Sequence, residues 1–223
     1  MREQIIEQVQ KQKVIAILRG LSTEECMKTA QALYDGGIRL LEVTFDQKDT
    51  YRHADTINSI CRITDHFRHK IYVGAGTVTS PALVEAAAKA GAQYIISPDS
   101  SQAVIEKTRE LGLVSMPGAL TPTEIMNAHN WGADFVKLFP AGNLGTGYIK
   151  AICAPLNHIR LLAVGGVNPE NITEFLNAGC CGAGIGGNLA NRKWIAAGEY
   201  ERITQTALTL TDIIKNRNQQ EVK

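Results

Sequence analysis

The stretch TPTEIMNAHNWGADFVKLFP, Thr121 to Pro140, holds the unit from which the chain is built. Thr121-Pro122 opens a helix. Proline is pre-set for the first turn. Trp131-Gly132 stops that helix, because glycine enters left-handed backbone at no steric cost. Phe135 to Phe139 then forms a short apolar run bounded by turn residues, which reads as a buried strand.

The same unit recurs on both sides. Apolar runs lie at Val14 to Leu18, Leu40 to Phe45, Ile71 to Ala75, Tyr94 to Ser97, Leu113 to Met116, Phe135 to Phe139, Leu161 to Val164 and Gly182 to Ile185, giving eight candidate strands. Between them Ser22-Thr-Glu-Glu opens a helix closed by Asp35-Gly-Gly, Ser80-Pro81 one closed by Ala90-Gly91, and Asn168-Pro169 one closed by Ala178-Gly179. The amphipathic pattern MREQIIEQVQKQKV predicts a further helix before the first strand. Regular strand–helix alternation favours a parallel sheet, and eight copies in 223 residues favour an α/β fold. We expect a single-domain (β/α)8 TIM barrel over residues 1–223 with an N-terminal helix, rather than an open doubly wound sheet. Polar residues at the C-terminal ends of the strands should then share one mouth.

Bulk properties narrow the function. The 23 basic and 22 acidic side chains leave a formal charge of +1, so no overall basic field exists to attract nucleic acid or an anionic membrane. No run approaches the roughly 20 apolar residues of a membrane span, and the N-terminus has the pattern of neither signal peptide nor anchor. Five cysteines without a C-x-x-C pair read as buried thiols in a reducing compartment, which predicts a cytoplasmic protein. His66 and His69 near Cys61 imitate metal-ligand spacing, but the segment is rich in charge and reads as a solvated helix face; no metal is expected. Cys180-Cys181 enters an apolar strand and reads as core, not as nucleophile.

Lys137 stands in the middle of an apolar strand, on the face of Phe135 and Phe139. Desolvation there disfavours the ammonium form and frees the lone pair for attack on a carbonyl carbon. The bland alternative is a lysine that snorkels to solvent or pairs with a carboxylate. Glu42 sits inside Leu40-Leu-Glu-Val-Thr-Phe45 with Thr44 on the same face. A buried carboxylate needs a cation, a donor or a raised pKa, and the last suits it to shuttle protons; a plain Glu42–Lys137 ion pair is the structural alternative. Arg19 ends the first run with a fork suited to a carboxylate or phosphate. The loops Gly74-Ala-Gly-Thr77, Ser97-Pro98-Asp99 and Pro117-Gly118 add oxygen and amide donors. Val164-Gly165-Gly166 and Ile185-Gly186-Gly187-Asn188 follow runs seven and eight, where barrels often bind phosphate on bare backbone amides.

Taken in order, Val14-Ile-Ala-Ile-Leu-Arg-Gly20, Leu41-Glu-Val-Thr44, Val73-Gly-Ala-Gly-Thr-Val78, Ile96-Ser-Pro98, Met116-Pro-Gly118, Thr121-Pro-Thr-Glu124, Val136-Lys-Leu-Phe-Pro140 and Val164-Gly-Gly-Val167 resemble the 2-dehydro-3-deoxy-phosphogluconate (KDPG) and 4-hydroxy-2-oxoglutarate aldolases and the related 2-dehydro-3-deoxy-6-phosphogalactonate aldolases. The resemblance implies a homotrimeric class I aldolase without cofactor, acting on a small 2-oxo acid. Lys137 then matches the Schiff-base lysine and Glu42 the proton relay. Thr77 helps hold the pyruvate portion, Phe139 lines the site, and Gly165 with Gly166 receives the phosphate. Two departures stand out. Phe45-Asp46-Gln47 follows the E-V-T motif where some members carry an arginine, which gives carboxylate binding to Arg19. The phosphate loop reads Gly186-Gly187-Asn188 where many members end in serine. The expected substrate is 2-dehydro-3-deoxy-6-phosphogluconate, giving pyruvate and glyceraldehyde 3-phosphate, with 4-hydroxy-2-oxoglutarate and the galactonate derivative as alternatives. A phosphosugar isomerase or epimerase on the same barrel, or a non-catalytic sugar-phosphate sensor, are the rival readings.

Overall fold

The computed structural model describes residues 2–49, 51 and 53–221. Nine parallel strand segments form one sheet: β1 (Val14–Leu18), β2 (Leu40–Thr44), β3 (Tyr72–Gly76), β4 (Tyr94–Ile96), β5 (Val114–Met116), β6 (Gly118–Ala119), β7 (Val136–Leu138), β8 (Leu161–Val164) and β9 (Gly182–Ile185). Their order is β5-β4-β3-β2-β1-β9-β8-β7-β6. The two ends of that order are consecutive in the chain. β5 and β6 are one barrel strand interrupted at Pro117, which has no N–H to give a ladder. Across the interruption Asp134 N donates to Ser115 O at 2.9 Å and Lys137 N to Pro117 O at 2.8 Å, so the ring closes with the eight strands expected.

The helices are α1 (Arg2–Gln12), α2 (Thr23–Asp35), α3 (His53–Phe67), α4 (Pro81–Lys89), α5 (Gln102–Glu110), α6 (Pro122–Asn130), α7 (Ala141–Cys153), α8 (Ile172–Asn177), α9 (Arg192–Ala196) and α10 (Tyr200–Glu221). The signals read from sequence act as written. Ser22 and Thr121 each complete a reciprocal capping box with Glu25 and Glu124, and Gly91, Gly132 and Gly179 stop their helices at positive φ. One start is displaced. Asn168-Pro169 opens a turn, with Asn168 Oδ1 accepting the N–H groups of Glu170 and Asn171, and α8 begins only at Ile172.

Alternation along the strands sorts the side chains into two cores. The outward set packs under the ring of helices. The inward set, including Ile15, Leu40, Tyr72, Tyr94, Phe135 and Leu162, fills the lower barrel, and Ile5, Ile6 and Val9 of α1 join it from below. The N-terminal helix is thus a plug. Arg2 pins it by pairing with the buried carboxylate of Asp134, whose other oxygen accepts the Ser115 N–H at 2.9 Å.

The cysteines depart from the expected uniform burial. Cys26 and Cys180 are buried, Cys153 and Cys181 half-buried, and Cys61 exposed. The last follows from helix phase: α3 turns Thr56, Ser59, Ile60, Ile63 and Phe67 inward, which leaves Cys61 on the solvent side. His66 and His69 are exposed beside it. Among the described residues no helix is long and apolar enough to cross a membrane.

Candidate active site

The upper layer of the barrel interior is polar. On β7 the alternation that turns Phe135 into the lower core turns Lys137 inward one layer higher, opposite Gly118 and Leu162 of the neighbouring strands. Glu42 enters the same layer from β2, in register with Ile17 and Gly74. Both are sealed, Lys137 at 4% and Glu42 at 1% exposure. The space for Glu42 comes from glycine: a Cβ on Gly76 would overlap its carboxyl group, and one on Gly74 would overlap the ring of Tyr94. The Tyr94 hydroxyl donates to Leu41 O at 2.6 Å, which ties the floor of the site to β2.

Burial sets the protonation of the pair. It pulls the Lys137 ammonium below its ordinary pKa of 10.5; the Glu42 carboxylate opposes the change and the Arg19 guanidinium reinforces it. It pushes Glu42 above its ordinary 4.5, against the pull of Lys137 and Arg19. The drift is toward a free amine beside a proton-holding carboxyl group, the states a nucleophile and an acid/base partner require. Glu42 Oε1 is buried without a hydrogen-bond partner, so a simple structural ion pair does not describe it.

Above the pair opens a cavity of about 550 Å³, ample for a six-carbon phosphorylated acid. Of the residues singled out from sequence it is lined by Lys137, Arg19, Thr77, Pro98, Phe139, Gly165, Gly166, Gly187 and Asn188. Glu42 is buried and does not reach the lining. Phe139 stands at the mouth, 41% exposed, with its ring centroid 4.9 Å from Lys137 Nζ. Thr77 holds a left-handed φ of 56°, an expensive conformation for a β-branched residue. Its carbonyl accepts from Gln47 Nε2 at 2.9 Å, and Gln47 Oε1 takes the Thr79 hydroxyl at 2.9 Å. Gln47 therefore braces the β3 loop.

On the opposite wall Gly165 and Gly166 have φ of 92° and 80°, a backbone that only glycine adopts readily. A Cβ on Gly187 would meet nothing within 4 Å, so this glycine keeps backbone bare instead of making packing room. Asn188 Nδ2 donates to Val167 O at 2.9 Å and joins the two glycine loops.

Besides Glu42, two of the sequence-derived residues, Ser97 and Thr44, fall outside the cavity. The Ser97 hydroxyl donates to Val78 O at 2.7 Å and that of Thr44 to Leu18 O at 3.4 Å; both support the loops rather than face the space. Sequence reasoning missed Arg192, which lines the cavity from the start of α9. Its one signal was its place just after the Gly186-Gly187-Asn188 loop, and alternation says nothing about loops. Among the described residues no cluster of His, Cys, Asp or Glu could hold a metal ion. Burial holds the thiols of Cys26 and Cys181 protonated, raising them to about 11 and about 12, which makes both poor nucleophiles.

A parallel barrel with a desolvated lysine at the C-terminal ends of its strands, a buried carboxyl group in the same layer and cations at the rim defines the lysine-dependent, imine-forming lyases. Comparison with known proteins narrows the class. The family model described as KDPG and KHG aldolase matches residues 5–206, and the chain belongs to that family. It is 37% identical to the 2-dehydro-3-deoxy-6-phosphogalactonate aldolase of Escherichia coli over 87% of this chain and 90% of that one. A native KDPGal structure superposes with a TM-score of 0.82 at 36% identity, over 92% of this chain and 96% of the other. The KDPG aldolase of Legionella pneumophila, with pyruvate captured as a covalent carbinolamine, superposes with a TM-score of 0.81 at 26% identity over 90% and 94% of the two chains. The protein is thus an aldolase, a lyase of the Schiff-base type, and the expected barrel is the family's fold.

Proposed function

We propose that this enzyme cleaves a 6-phosphorylated 2-dehydro-3-deoxy sugar acid to pyruvate and glyceraldehyde 3-phosphate, with Lys137 as the Schiff-base residue and Glu42 as the proton relay. The observation that carries the reading is the buried Lys137, drawn toward its neutral form by desolvation with Glu42 beside it. Neutral Lys137 Nζ attacks the C2 carbonyl carbon, and loss of water leaves a protonated imine. Glu42, having given its proton to the departing water and become a carboxylate, then removes the C4 hydroxyl proton through a water. The C3–C4 bond then breaks, its electron pair passing to the imine nitrogen, and the aldehyde leaves. The enamine takes a proton at C3, and hydrolysis of the imine returns pyruvate and the free amine. Arg19 holds the substrate carboxylate, Thr77 the pyruvate portion, and the amides of Gly165, Gly166 and Gly187 the phosphate.

The gluconate- and galactonate-derived substrates differ in configuration at C4 and give the same products. The galactonate compound is favoured by the 37% identity to the E. coli enzyme named for it, and by Phe45-Asp46-Gln47 after the E-V-T motif, where some members carry an arginine. With 4-hydroxy-2-oxoglutarate the aldehyde would be glyoxylate. We place the enzyme in the cytoplasm as a homotrimer, in line with the family resemblance. The test is pyruvate release from all three compounds. Wild type should turn over one of the phosphorylated pair fastest, and Lys137→Ala should turn over none while unfolding at the wild-type denaturant midpoint. An active, folded Lys137→Ala enzyme would remove the mechanism.

A further inference from the structure

Three charged side chains line the cavity, Arg19, Lys137 and Arg192, and none of the lining residues is acidic. The reaction employs the first two. Arg192 follows the Gly187-Asn188 turn by four residues and opens α9. Its guanidinium lies against the end of β1, where a Cβ on Gly20 would come within 3.3 Å of Nη1. Gly20 also has φ of 66°, so the β1 loop leaves room for the arginine both by lacking a side chain and by a conformation that discourages one. No described carboxylate forms an ion pair with Arg192.

The neighbouring donors are few. The Asn188 side chain is engaged with Val167 O, and no hydroxyl stands in the glycine loops at Gly165, Gly166, Gly186 and Gly187. Bare amides bind an anion, but they supply no formal charge against a dianion. A guanidinium supplies that charge, with N–H groups spaced to fit phosphate oxygens. We propose that Arg192 is a specificity-determining residue that grips the terminal phosphate of the substrate, so that a side chain from the last loop supplies the discrimination between phosphorylated and unphosphorylated 2-oxo acids. The proposal rests on the lyase reading above, which places the far end of the substrate between the β8 and β9 loops. The competing account is an exposed rim arginine that water solvates and the substrate ignores.

Two measurements on Arg192→Ala and Arg192→Lys decide between them, with the unfolding midpoint in plain buffer as the check on folding. In the first, inorganic phosphate alone is titrated against the whole protein while thermal unfolding is followed. Phosphate should raise the wild-type midpoint, Arg192→Ala should lose most of that rise, and Arg192→Lys should keep part of it. In the second, kcat/KM for a phosphorylated sugar acid is divided by that for its unphosphorylated counterpart. The ratio should fall about ten- to a hundredfold in Arg192→Ala, the cost of one charge-assisted contact, and the fall should sit in KM more than in kcat. A wild-type midpoint that phosphate does not move, a phosphate shift unchanged in Arg192→Ala, or a ratio unchanged there because both substrates suffer equally would each overturn the proposal. The phosphate titration stands even where no lyase activity is found, so failure of the lyase reading and failure of the Arg192 assignment are told apart.

Discussion

Gly76→Ala inserts one methyl group where the structure has no room for it. The new Cβ would lie 2.6 Å from Glu42 Cγ and closer still to the carboxyl group, and Glu42, 1% exposed, has no solvent to retreat into. Overpacking of this kind costs about 1–3 kcal/mol of stability. The effect on rate should be larger. A catalytic group displaced by about an ångström loses on the order of 10²-fold, equivalent to about 2.7 kcal/mol of barrier. Urea unfolding and steady-state pyruvate release on the same preparation separate the two effects. Gly147→Ala in α7 is the control, because its Cβ meets nothing within 4 Å; there wild-type kcat and a gain of about 0.4–1 kcal/mol are expected. A Gly76→Ala enzyme that loses stability yet keeps wild-type kcat would refute the role given to Glu42. One that loses neither would refute the packing.

Glu42 is raised above 4.5, so in the window just above that value the folded state holds a proton that the unfolded state has lost, and stability falls as pH rises through it. Glu42→Gln should abolish that decline in pH-dependent urea midpoints, and an identical pH profile in the variant would contradict the raised value. Lys137 has the opposite sign: below 10.5 the unfolded state holds the extra proton, so stability rises with pH through that window until 10.5, and kcat/KM should climb as the lowered pKa is crossed. A rising limb placed at the ordinary lysine value of 10.5 would count against desolvation. Arg2→Ala removes the nearer of two arginines from Asp134, whose side chain is 3% exposed and whose other arginine, Arg109, stands 3.9 Å away, and should cost about 1.5–3 kcal/mol with kcat intact; an unmoved urea midpoint would show that α1 is held by its apolar face alone. Tyr94→Phe removes the 2.6 Å bond to Leu41 O and should cost about 1 kcal/mol, measured the same way.

Much of this was legible from the chain because two periodicities coincide with the fold. A strand's alternation of two put Phe135 and Lys137 on one face, and a barrel has only one interior, so an inward lysine had to be at the site; Glu42 followed by the same reasoning. Capping pairs such as Ser22 and Glu25 are local, and this one acted where it was read. What escaped depends on contacts between distant loops. Nothing in Ser97 or Thr44 shows that its hydroxyl is bound to a backbone carbonyl across the layer. Nothing in Gly76 shows that it faces Glu42. Arg192 sits on a loop, outside any period, and became visible only when β9 was placed beside β1. The split of one strand at Pro117 was hidden for a different reason: the proline interrupts the ladder, and neighbouring bonds from Asp134 and Lys137 bridge the gap.

The central claim is that the amine of Lys137 forms the imine. Incubation with pyruvate and borohydride, followed by proteolysis and mass mapping, tests it on the intact enzyme. The account predicts a single stable adduct, one pyruvate less water plus two hydrogens, on the peptide that carries Lys137, and none in Lys137→Ala. An adduct on another lysine, or no adduct in active wild-type enzyme, would contradict it.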